Sequence, residues 1–182
     1  MINPQYADMI DQLQEHFATN GQISLQEVLL QKNIDELKAH CAQLSTVDEL
    51  MHTHHKQSQV HEALQNYLTK HNFLWFLNEL TQEKLAIQEG SIHAYKHKDF
   101  LLRRPCKPGI VCLLEIGNSL PLEVGGSSCY AQGEETVTIP VIHNSLSLLH
   151  VDEQTEEFVT YVTHHAQGKR LFIRLLLTFS KA

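Results

Sequence analysis

Arg170-Leu171-Phe172-Ile173-Arg174-Leu175-Leu176-Leu177-Thr178-Phe179 is the stretch on which the fold turns. In an extended chain, successive side chains point to opposite faces. One face is then Leu171, Ile173, Leu175, Leu177 and Phe179, entirely apolar, and it needs a large apolar partner. The other face carries Arg170, Phe172, Arg174, Leu176 and Thr178. Its two guanidinium groups lie on the order of 13 Å apart along the strand. If that face lines the inside of a barrel, it forms an acid-recognising wall, because Arg grips carboxylates through two parallel hydrogen bonds. The competing expectation is that both arginines reach solvent or pair with acids such as Glu115 or Glu123.

Upstream of this stretch, short strand-like segments recur at 92–95, 100–103, 110–116, 120–124, 127–131, 136–142, 145–151 and 158–163. Turn residues separate them: Pro105-Cys106-Lys107-Pro108-Gly109, Gly117-Asn118, Gly125-Gly126, Gln132-Gly133, His143-Asn144 and Gln167-Gly168. No segment of helical period interrupts the series. This excludes an alternating βαβ sheet and predicts a barrel or jelly roll.

The first half of the chain reads differently. Seven of the 8 glycines and four of the five prolines lie at or after Gly90, and the earlier part is rich in Gln, Leu, Glu and His. Tyr6, Met9, Ile10, Leu13 and Phe17 recur at helical spacing before Asn20-Gly21, predicting a helix over 5–19. Ser24 with Glu27 fits a capping box, while Ile23-Ser24-Leu25 fits a short strand. A second helix is predicted from Asn33 to about Leu44, then a loop or frayed helix over 45–59, then a helix around Ala63, Leu64, Tyr67 and Leu68. Phe73-Leu74-Trp75-Phe76-Leu77 with Leu80 is dense enough for a core helix buried nearly all round. N-terminal helices over 1–89 and strands over 90–182 define an α+β protein forming one integrated domain.

Composition narrows the function classes. The chain has 182 residues, a formal charge of −7 and a globular share of apolar residues, 42%. An acidic chain is a poor general binder of nucleic acid. No apolar run is long enough to cross a bilayer, and the N-terminus has no basic-then-apolar leader, so a cytoplasmic protein with neither membrane nor nucleic-acid partner is expected. The 4 cysteines form no Cys-x-x-Cys pair and read as buried free thiols. Protonating all 13 histidines would carry the charge from −7 past zero.

The segment from about Phe73 to Phe179 resembles the prolyl-hydroxylase-type 2-oxoglutarate/Fe(II) oxygenase superfamily. Together with the helices before it, the resemblance covers roughly residues 22–180. Lys98-Asp99-Phe100-Leu101 resembles the step before that family's iron-binding strand, and Gly125-Gly126 its Gly-Gly turn. Ile139-Pro140 with Asn144 and the apolar run 146–149 resembles the approach to the distal metal ligand. The stretch 157–162, followed by Gly168-Lys169-Arg170-Leu171, resembles the last strand pair. The resemblance implies a double-stranded β-helix, cupin-like, with a helical support layer. It also implies Fe(II) and 2-oxoglutarate as cofactors and Arg170 as the acid-binding group, with Arg174 as a second one.

The ligand positions depart from the family. Its His-x-Asp pair falls on Arg104 and Cys106, and its distal His on Glu157. These side chains do not reproduce a facial iron triad. An Arg104–Glu157 ion pair in its place is expected, and with it a degenerate, cofactor-free member acting as a binding or accessory protein for a small carboxylate or peptide. The enzyme alternative is a working dioxygenase using His97, Asp99 and His164 or His165 as non-standard iron ligands. A third class is an interaction domain that self-associates through its apolar helices. His52-x-His54-His55 reads as solvent-exposed loop histidines. His93-x-x-x-His97 lies on a strand, and Cys129 has no base nearby to activate it.

Overall fold

The computed structural model describes residues 1–44, 48–49, 56–59 and 62–180, and His52, His54 and His55 lie outside them. Pro4–Tyr6 forms a separate 3-10 turn capped by the Asn3 side chain, and helix α1 spans Ile10–Asn20. The expected helix over 5–19 is therefore two pieces. The N-terminal segment is held elsewhere: the Asn3 N–H donates to the Val28 carbonyl at 2.8 Å, and the Tyr6 hydroxyl donates to the Gln26 carbonyl. Gly21 ends α1 in the left-handed region (φ 66°), its N–H bonding the Phe17 carbonyl.

Strand β1, Gln22–Gln26, settles the choice at Ser24 in favour of a strand. It pairs with the later strand β9, Ser145–Val151, where the Ser24 and Ser147 hydroxyls meet at 2.8 Å. Helix α2 (Gln31–Leu44) buries Ile34, Leu37 and Cys41 on one face. Two short strands follow, β2 (Asp48–Glu49) and β3 (Lys56–Gln59), where a loop or frayed helix was expected. The reason is tertiary: β3 pairs with the open edge of a long neighbouring strand and β2 pairs with β3, which weak local patterning does not reveal.

Helices α3 (Glu62–Lys70) and α4 (Phe73–Thr81) complete the helical layer. Phe73, Phe76, Leu77 and Leu80 are buried, but Trp75 is 60% exposed. Burial all round α4 is thus corrected: α4 packs on α1 and the sheet with one face and turns the other outward.

Strand β4 runs from Leu85 to Tyr95, far longer than the expected 92–95, so the expected division at residue 90 falls inside a strand. Next come β5 (Leu101–Pro105), β6 (Gly109–Glu115), β7 (Ser128–Gln132) and β8 (Glu135–Ile139). After β9 the last two are β10 (Glu156–Val159) and β11 (Arg170–Phe179). The expected strand over 120–124 is a 3-10 turn, Leu122–Val124, with a single bridge from Leu120 to Val141. Pro121 and Gly125 account for it: Gly125 has φ 83°, and a Cβ there would sit 2.0 Å from the Tyr161 carbonyl oxygen. The expected strand over 158–163 begins earlier and stops at Val159, because β10 is clamped between β5 and β7.

All strands are antiparallel and form two facing sheets. The larger has the order β1-β9-β6-β11-β4-β3-β2, the smaller β5-β10-β7-β8. Together they form the jelly roll, with the helices on the outer face of the larger sheet. Strand β11 sits between β6 and β4, and its two faces divide as the alternation predicts. Ile173, Leu175 and Leu177 join the core under the helices with Phe17, Phe73 and Phe76. Phe172 and Leu176 join a second core between the sheets with Tyr95, Leu113, Tyr130 and Val159. None of the described helices is long and apolar enough to cross a membrane.

Leu175 is fully buried in the first core, whereas Phe179 is 56% exposed at the strand's end. Leu175→Ala is expected to cost about 2–5 kcal/mol through lost contacts and a residual cavity. Phe179→Ala should cost well below about 1 kcal/mol. Chemical denaturation of the two variants, with unchanged m-values, checks this.

Candidate functional site at the barrel mouth

Arg104 lies on β5, directly across from Glu157 on β10. Arg174 reaches the same point from β11 in the opposite sheet. Arg104 Nε donates to Glu157 Oε1 at 2.8 Å, and its Nη2 lies 2.5 Å from that oxygen. Arg174 Nε donates to Glu157 Oε2 at 2.9 Å, with its Nη2 also at 2.9 Å. One carboxylate is therefore held between two guanidinium groups, one oxygen to each. Burial works against the Arg174 charge, and the Glu157 carboxylate overcomes it, holding that guanidinium above its ordinary pKa.

Cys106 sits beside this trio. Its thiol is pushed up to about 11, by burial first and by the Glu157 charge second, with Arg174 and Arg104 pulling the other way. The four side chains line a cavity of about 520 Å³ that opens between β4 and the end of β5. At its rim Lys107 pairs with Glu89 of β4.

Deeper between the sheets lies a second ion pair. Arg170 is fully buried, and its Nε donates to both Glu115 oxygens at 3.0 and 3.1 Å, with Nη2 also on Oε1. Its Nη1 donates to the Gly126 carbonyl at 2.7 Å. The guanidinium carbon stands 3.8 Å from the centre of the Phe172 ring. Phe172 in turn stacks on His93 at 4.8 Å and on Tyr95 at 5.9 Å. Burial pushes the Glu115 carboxyl above its usual range, with Arg170 pulling it back. The guanidinium expected to greet an incoming acid is thus occupied by the protein's own carboxylate and sealed from the mouth.

The alternative ligand set is placed elsewhere. His97 packs edge-on against Tyr161 and His164, with 6.2 Å between the imidazole centres, and His165 lies tilted against His164, their ring centres 3.8 Å apart. The Asp99 carboxylate accepts the Lys96 N–H at 2.8 Å. Among the described residues, no three His, Cys, Asp or Glu side chains are arranged to hold a metal ion. At the mouth, Arg104 has no lone pair to give, and Glu157 has both oxygens engaged by cations. These residues do not fit an Fe(II) site, and Arg170 as placed does not fit the far carboxylate of 2-oxoglutarate.

Arg104, Cys106, Glu157 and Arg174, each singled out in the sequence, line one cavity, and Arg170 pairs with Glu115, one of the acids the sequence offered it. Sequence reading missed the second guanidinium on Glu157 and the His93–Phe172–Tyr95 stack. The stack had a signal: Ser91, His93 and Tyr95 alternate along β4 and so share one face.

No protein-family model matches the chain, and no curated protein matches it by sequence. Solved structures do match in shape. A Pseudomonas putida prolyl-4-hydroxylase is 14% identical over 95% of this chain and 100% of its own, with a TM-score of 0.71. A Trichoplax adhaerens prolyl hydroxylase, solved with a hypoxia-inducible-factor peptide, is 13% identical over 96% and 91%, with a TM-score of 0.70. HygX from Streptomyces hygroscopicus, solved with nickel, 2-oxoglutarate and hygromycin B, is 12% identical over 93% and 87%, also at 0.70. The chain has the fold of the 2-oxoglutarate/Fe(II) oxygenases.

Glu115→Gln leaves the Arg170 charge buried without its counter-ion and is expected to cost about 3–5 kcal/mol. The double variant Glu115→Gln/Arg170→Met removes both charges and should recover most of that loss in a denaturant titration. The four cysteines are all buried and unpaired. At pH 7.5 the native protein should react slowly with iodoacetamide. Modification of Cys106 should speed up about tenfold per pH unit towards 11, while the unfolded chain reacts at all four sites at once.

Proposed function

We propose that this protein is an oxygenase-fold binding or accessory protein without an iron site, which takes a small carboxylate or a peptide carboxylate at the barrel mouth. The observation that carries the reading is the Arg104–Glu157–Arg174 bridge, two of whose members, Arg104 and Glu157, stand where the resemblance puts iron ligands. A guanidinium repels a divalent cation and attracts an acid. The acid-contacting groups are then Arg174 and Arg104, while Arg170 serves the interior through Glu115. Structural neighbours support the choice of ligand only by analogy of fold, one having been solved with a peptide and another with 2-oxoglutarate. Free thiols and an acidic surface fit a cytoplasmic protein without nucleic-acid or membrane partners.

A thermal-shift panel of small carboxylates, including 2-oxoglutarate, tests this with and without Fe(II). An acid at 100 times its Kd stabilises by about 2.7 kcal/mol, on the order of 5–10 °C for a chain of this size. The shift should be independent of iron and absent in Arg174→Gln. Stoichiometric iron in the purified protein, lost on His97→Ala, would overturn the reading in favour of a dioxygenase built on His97, Asp99 and His165.

A further inference from the structure

The mouth carries a defined excess of charge. Arg104 and Arg174 both turn their Nε–Nη2 edges to Glu157, so two cations share one anion and the trio keeps one net positive charge. The rim pair of Lys107 and Glu89 adds nothing to that sum. Among the described residues, neither Nη1 group donates to a protein acceptor. Arg174 is nonetheless nine-tenths buried, and both arginines line the cavity. A guanidinium held in a partly desolvated cavity with one edge free of protein acceptors favours an anionic partner there. The lining beyond the guanidiniums includes Gln65, Gln88 and Ser91, amides and a hydroxyl that an apolar ligand would strip of water without replacement.

We propose that the cavity selects an acid with a single negative charge on a polar body, a hydroxy acid or an N-acylated amino acid, and that Glu157 sets this charge limit. The proposal rests on the binding reading above and narrows it. Glu157 neutralises one guanidinium, so a monoanionic carboxylate completes the balance. A dianion meets the Glu157 carboxylate with one charge too many.

Thermal shift and calorimetry at pH 8 with D-gluconate, N-acetyl-L-glutamine, hexanoate and inorganic phosphate test the proposal. In the wild type, gluconate or N-acetylglutamine should raise the Tm, and hexanoate and phosphate should not. Glu157→Gln should gain affinity for phosphate by roughly tenfold or more. Arg104→Gln, at a side chain 38% exposed and so tolerant of change, should lose the gluconate and N-acetylglutamine responses. Phosphate or hexanoate stabilising the wild type as well as the polar acids would overturn the proposal while leaving an acid-binding mouth intact. A folded Glu157→Gln that gains nothing for phosphate would remove Glu157 as the selector. If Glu157→Gln does not fold, the wild-type ranking decides. If none of the panel acids, 2-oxoglutarate included, moves the wild type, the binding reading itself fails.

Discussion

Two carboxylates placed between facing sheets, each answered by guanidinium groups, set the terms for everything else in this molecule. A buried charge without a partner is strongly destabilising. The interior therefore holds only because Glu115 meets Arg170 and Glu157 meets Arg104 and Arg174. These pairs cross the architecture. Glu115 and Arg170 lie on neighbouring strands of the larger sheet, and Arg170 also bonds the Gly126 carbonyl in the turn before β7. Glu157 belongs to the smaller sheet and Arg174 to the larger. The ion pairs thus fix how the sheets face each other, a task that the non-directional apolar contacts around Tyr95, Leu113 and Val159 do less sharply.

The same arrangement defines the chemistry of the mouth. A fold seen in iron oxygenases here carries Arg104, Cys106 and Glu157 where the resemblance places metal ligands, with Arg174 bonded to the Glu157 carboxylate. Positive charge in a partly desolvated cavity is suited to holding an anion and unsuited to holding a metal. The stacked rings of Phe172, His93 and Tyr95 lie between the mouth and the Arg170 guanidinium, which rests on Phe172. What remains open is the shallow polar space between β4 and the end of β5.

Much of this was legible in one dimension where side-chain period alone decides. The alternation in Arg170–Phe179 separated the helix-facing residues from the lumen-facing ones, and the residue types at 104 and 157 pointed to the ion pair that joins them. What was not legible depended on pairing across long stretches of sequence. Leu85-Ala86-Ile87-Gln88-Glu89-Gly90 lacks alternation, and it is strand only because β11 runs along its length. Leu120–Val124 looks like a strand by composition, but Pro121 and the tight approach of Gly125 to Tyr161 turn it into a helical corner. The fate of Arg170 hinged on Glu115, 55 positions away in the chain yet on the adjacent strand. Trp75 sits among core-type neighbours, and only the orientation of α4 reveals that it faces outward.

Glu115 and Arg170 also bear on how the molecule assembles. Neither is stable out of water without the other, so their burial is conditional on β6 and β11 lying in this register. The Gly126 carbonyl extends that condition to the turn before β7 in the smaller sheet. The pair is thus an electrostatic check on register: a strand slipped by one residue would turn Arg170 to the other face and leave Glu115 buried without its counter-ion.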